Sequence, residues 1–125
     1  MSARAPWNPE MEGSYSVPPF MRTSYPHLGV VLRIGRECCQ AHDRAYYEGT
    51  DGDEAGRLIA DTALYAGLQR LRAAGAMDPE TGAELDQRSI EDLFWAVHHF
   101  GAAHWGTGRA WDGRVLGERQ RIESS

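Results

Sequence analysis

All but one of the 6 prolines, namely Pro6, Pro9, Pro18, Pro19 and Pro26, lie before residue 28, and residues 28–78 contain none. Proline removes a backbone donor and blocks helix, so 1–27 reads as an extended arm and the rest is free to be helical. The arm carries Trp7, Tyr15, Phe20 and Tyr25. That is more aromatic surface than a bare linker needs, and it suits packing on the same domain or on a protein partner. A partly ordered tail is the other reading of this stretch.

Downstream of the arm the apolar residues recur with a helical period, and no stretch alternates convincingly as a strand. A first helix is expected over about Leu28–Tyr47. On it Val31, Cys38, Ala45 and Tyr46 fall within about 60° of His42. His42 is therefore in the middle of an apolar stripe, with Asp43 at its margin. A turn of glycine and acids, "EGTDGD", follows at 48–53. A second helix spans about Asp53–Ala74, with Asp53 as N-cap and Gly75 ending it. Its stripe is Leu58, Leu64, Tyr65, Leu68 and Leu71. Asp61 points into that stripe, where a carboxylate is costly to bury without a partner.

Residues 76–86 read as a loop. A third helix is expected from Ser89, with Asp92 as its capping-box partner. Ile90, Leu93, Phe94, Val97, Gly101, His104 and Trp105 mark its inner face, and it breaks near 106–108. The expected fold is all-α: two long antiparallel helices carrying a His–Asp pair, a third packed helix, and irregular N- and C-terminal arms. The expected domains are a proline-rich arm at 1–27, a helical domain at 28–111 and a charged tail at 112–125.

The net charge of −5 argues against nucleic acid as a main partner, because phosphate binding favours a basic surface. The 2 cysteines are adjacent, and a vicinal disulfide is strained, so two free thiols in a reducing compartment are expected. The N-terminus lacks a signal-type apolar run, and no stretch reaches the ~20 apolar residues of a membrane span. The location expected is cytoplasmic or virion-associated.

If the first two helices pair, His42 and Asp61 can meet. A carboxylate on one imidazole nitrogen fixes the tautomer and leaves the other nitrogen to take a proton from water. Asp43, beside it, can ligate a hard cation such as calcium, which would polarise an ester or phosphate oxygen. The same His–Asp pair also occurs as a satisfied buried contact with no chemistry. His98, His99 and His104 lack zinc-ligand spacing. "WGTGRAWDG" at 105–113 could cradle an anion, but it follows no strand.

"CCQAHD" (38–43) resembles the active-site helix signature of phospholipase A2, Cys-Cys-x-x-His-Asp. "HDRAYYEG" and the later "ADTALYAGL" are similar to viral and bacterial offshoots with His-Asp-x-x-Tyr and a following Ala-Asp. His42, Asp43, Tyr46, Ala60 and Asp61 carry the match, within a stretch of about 28–111. The "FWAVHHFGAAHWGTGRAW" ending resembles small bacterial proteins with this His-Asp helix, and a related phage-associated group carries such a helix too. The resemblance implies that His42 is the general base, Asp61 orients it, Tyr46 supports them and Asp43 ligates calcium. The implied reaction is hydrolysis of the sn-2 acyl ester of a phospholipid, which makes a phospholipid or membrane surface the partner. The stretch 24–37 carries only Gly29 and Gly35 where the family has a glycine-rich calcium loop. The alternative is a non-catalytic structural or interaction protein of phage or mobile-element type that keeps the helix pair as scaffold.

Overall fold

The computed structural model describes residues 28–103, 105 and 106. The arm at 1–27, the tail at 112–125, His104 and most of the 105–113 segment lie outside the described residues. Within them the chain is four helices: α1 (Leu28–Ile34), α2 (Arg36–Glu48), α3 (Glu54–Ala73) and α4 (Gln87–Phe100). A short 3-10 turn, Gly101–Ala103, follows α4. No strand occurs among the described residues, only an isolated antiparallel bridge between Met77 and Glu84. None of the described helices is long and apolar enough to cross a membrane.

The expected first helix is two helices meeting at Gly35. The hydrogen bonding continues across the junction, from Gly35 N to Val31 O (2.8 Å) and from Cys39 N to Gly35 O (2.9 Å). A side chain at Gly35 would collide with the Leu68 methyl group, so glycine here lets α3 approach closely. Further along the same pair, Cys38 lies against Gly67 and His42 against Asp61. The pairing numbers rise on α2 as they fall on α3, so the two helices are antiparallel. Helix α4 runs antiparallel to α3 in turn, with Gln87 bonded to Gln69 and Tyr65, and His98 beside Arg57.

Asp53 caps α3, its side chain accepting from Gly56 N at 3.0 Å. The helix ends at Ala73 with Ala74 as its C-cap, and Gly75 takes the left-handed conformation (φ +75°) that favours glycine. Leu58 is not on the inner stripe, being 49% exposed. The buried line runs instead through Arg57, Ala60, Asp61, Leu64 and Leu68. A helix face centred on Asp61 and Leu68 takes in the residue one turn earlier, which is Arg57, and turns Leu58 to the flank. Helix α4 begins earlier than expected. Asp86, not Ser89, is its N-cap, accepting from Ser89 N at 2.7 Å. Asp92 instead lies 3.9 Å from Arg88, one turn back on the exposed side.

The main core joins Leu28 and Val31 of α1, Cys39 of α2, Leu64 and Leu68 of α3, and Ile90, Leu93 and Val97 of α4. Each fully buried aliphatic side chain here contributes about 1.5–3 kcal/mol. Both cysteines are free thiols, with Cys39 buried in this core and Cys38 packed against its edge. Burial raises the Cys38 thiol pKa, so packing suits it better than reactivity.

The 76–86 loop is organised by Asp78, which is buried although its neighbours are exposed. Its carboxylate accepts from Arg33 Nη2 (2.7 Å), Thr81 Oγ1 (2.8 Å) and Glu80 N (3.1 Å). These bonds, the Arg33 guanidinium foremost, hold its pKa well below the usual carboxylate range. A lowered folded-state pKa gives stability that is present above about pH 4 and is lost as the pH falls further. Melting curves from pH 6 downward are expected to show this loss in the wild type. Asp78→Asn is expected to start lower and to lack that acid-sensitive component. Parallel curves for the two proteins would contradict the assignment.

Candidate functional site

Helix α2 presents His42 and, one turn later, Tyr46 on its buried face; α3 presents Asp61 and, one turn earlier, Arg57. The other three converge on the Asp61 carboxylate, which is fully buried. Oδ1 lies 2.7 Å from His42 Nε2 and 2.7 Å from the Tyr46 hydroxyl. Oδ2 lies 3.5 Å from Arg57 Nη1 and 3.6 Å from His98 Nδ1. The two oxygens are thus divided, one toward α2 and one toward Arg57 and α4.

An ionised Asp61 only accepts, so His42 Nε2 carries the proton and donates it. That assigns the basic lone pair of a neutral His42 to Nδ1. The Tyr46 hydroxyl is 2.7 Å from Asp61 and 3.4 Å from Val97 O. It has one proton, and the shorter contact decides that Asp61 receives it. Burial, and then the Asp61 carboxylate, raise the Tyr46 pKa, so the phenol stays a neutral donor. The imidazole and phenol rings are 4.5 Å apart.

Arg57 is buried and reaches three acceptors. It donates to His98 O at 2.9 Å, to Glu54 Oε2 at 3.1 Å and, at longer range, to Asp61 Oδ2. A guanidinium is what a buried carboxylate needs against the cost of losing water. Beyond α4, Trp105 meets Tyr46 edge-on at 5.1 Å and donates from Nε1 to Thr50 O at 2.8 Å. Gly101 lies so close to the Tyr46 ring that a side chain there would overlap the hydroxyl.

The structure therefore brings His42 and Asp61 together, as expected from helical periodicity, and sets Tyr46 beside them, as the resemblance implies. Asp43, expected at the margin of the stripe, is fully buried as well. His42 is only 2% exposed, so the group is closed over. A depression of about 420 Å³ lies elsewhere, at the C-terminal end of α3 between Arg72, Glu84 and Asp86.

Among the described residues no group of three or more His, Cys, Asp or Glu could hold a metal ion. Calcium takes six to eight oxygens. The described residues offer Asp43, while Gly29 lies within α1 and Gly35 O is used by Cys39 N. This donor set does not fit a calcium site on its own. His98 and His99 have ring centroids 5.8 Å apart and belong to no such group.

Arg57 and His98 are the members that periodicity did not single out. The available signal was spacing: Arg57 is one helical turn before Asp61, and both face the same way. Comparison with family models, with curated proteins and with solved structures gives no match to this chain.

Proposed function

We propose that this chain is a phospholipase A2-like hydrolase in which His42 activates water against an acyl ester of a phospholipid. One observation carries the reading: a single oxygen of Asp61 accepts from both His42 Nε2 and Tyr46. This fixes the ring and its tautomer, which is the orienting half of a general-base pair. In this reading the packing over His42 opens to admit water and the ester, and Nδ1 then takes a proton from the water as the water oxygen bonds to the ester carbon. The tetrahedral intermediate collapses with cleavage of the bond to the alcohol oxygen. The imidazolium returns its proton to that alkoxide, and Asp61 stabilises the imidazolium meanwhile. Asp43 is the residue that would hold calcium, and no step is routed through the ion because the described donors do not complete a shell.

A second reading is favoured by the burial of His42, Asp43 and Asp61, all at 2% exposure or less. In it the polar pair is a scaffold element of an interaction protein of phage or mobile-element type. Hydrolysis of phosphatidylcholine and phosphatidylglycerol vesicles, with calcium or with a chelator, separates the two. The hydrolase reading expects the wild type above background and folded His42→Ala slower by about 10²–10⁴-fold. Chelation is expected to abolish turnover if Asp43 is a ligand. Wild type and variant at the same background rate would assign the scaffold role.

A further inference from the structure

His98 Nδ1 is a buried polar atom with no hydrogen-bond partner, although the side chain as a whole is 43% exposed. Its nearest counterpart is Asp61 Oδ2 at 3.6 Å. The ring is held by stacking on Phe94, with centroids 5.7 Å apart and planes 7° apart, and its backbone carbonyl is held by Arg57. A bare Nδ1 lone pair facing a buried carboxylate oxygen would be repulsive, and buried polar atoms are rarely left without a partner. A proton on Nδ1 turns the same contact into attraction, and closing it to a hydrogen bond takes a few tenths of an ångström.

We infer that His98 is a positioning residue for the His42–Asp61 pair, holding Asp61 Oδ2 through an Nδ1–H donor while its other ring nitrogen meets solvent. The charged and titratable groups facing His98 are Asp61 and Arg57 from α3 and His99 from its own helix. With Arg57 and His98 both on Oδ2, the carboxylate cannot rotate about its side-chain axis. Oδ1 is therefore kept for His42 and Tyr46. The inference rests on reading Asp61 as the group that orients His42, and adds a second imidazole on the opposite oxygen of the same carboxylate.

Nitrogen-15 imidazole spectra of the full chain test it without any enzymatic readout. His98 is expected as the Nδ1–H tautomer, the minority form of a free neutral imidazole. A neutral Nε2–H tautomer at His98 would overturn the proposal. Two variants separate positioning from packing. His98→Leu retains apolar contact with Phe94 but has no donor, and its His42 Nε2–H signal is expected to shift or be lost to exchange. In His98→Asn the amide nitrogen is the same number of bonds from the backbone as Nδ1, and it is expected to restore that signal. An unchanged His42 signal in folded His98→Leu, or no restoration in His98→Asn, would also overturn the proposal. If His98→Leu does not fold, the tautomer and the asparagine variant still decide. Failure to hydrolyse vesicles would refute the hydrolase reading and leave these signals unaffected.

Discussion

Asp61→Ala is expected to lower the stability of the fold by about 3–5 kcal/mol, the largest loss of any single polar substitution here. The carboxylate is fully buried and faces His42, Tyr46, Arg57 and His98. Removing it leaves the Nε2–H of His42 and the hydroxyl of Tyr46 without their acceptor in a site closed to water. It also leaves Arg57 as a buried cation with, among the described residues, only Glu54 to offset it, and Glu54 is 67% exposed. The loss of the charge partner, not the small cavity, dominates the estimate. Asp61→Asn keeps the volume and one acceptor oxygen, and a smaller cost of about 1–3 kcal/mol is expected. Urea unfolding at constant m-value measures both. A cost below 1 kcal/mol for the alanine variant would mean that the pair is not dry in solution.

Arg57→Met is expected to cost about 3 kcal/mol, while Glu54→Ala is expected to cost no more than about 0.5 kcal/mol. The two substitutions break contacts of the same arginine. Methionine preserves most of the buried stem but removes the charge that faces Asp61 and the donor to His98 O. The Glu54 contact is one turn away with its carboxylate 67% exposed, and there water screens most of the attraction. If the Glu54 variant lost as much as the Arg57 variant, the stabilising contact would lie at the surface instead of at Asp61. Combining Arg57→Met with Asp61→Asn is expected to cost less than the sum of the two, because each leaves the other's charge uncompensated.

The helical architecture was legible because it rests on period alone. Residues such as Leu64, Leu68, Leu93 and Val97 fall in the core where their spacing places them. The meeting of His42 and Asp61 was legible for a related reason, since each interrupts an otherwise apolar stripe. What the spacing misplaced were residues whose chemistry does not announce their side of the helix. Arginine is ordinarily a surface residue, so nothing in the spacing drew Arg57 inward, and Leu58 was placed on the inner stripe instead. Asp86 and Ser89 are both good caps, and only the backbone shows that Asp86 receives the bond. Arg33 and Asp78 are 45 residues apart, and nothing local marks either as the other's partner. His98 belongs to the same class: its Nδ1 lies beside Asp61 only because α4 packs antiparallel to α3.

The partners of Asp61 also differ in how far along the chain they lie. His42 and Tyr46 are 19 and 15 residues away, across one tight turn. Arg57, only 4 residues from Asp61, reaches across 41 residues to the His98 carbonyl on α4. Loop closure costs more entropy as the loop lengthens, so the α2–α3 hairpin can form its contact cheaply while one oxygen of Asp61 is still hydrated. Docking of α4 replaces that remaining water with the Arg57–His98 side of the network. Packing of α4 is therefore also what dries the carboxylate, tying completion of the hydrophobic core to completion of the polar site.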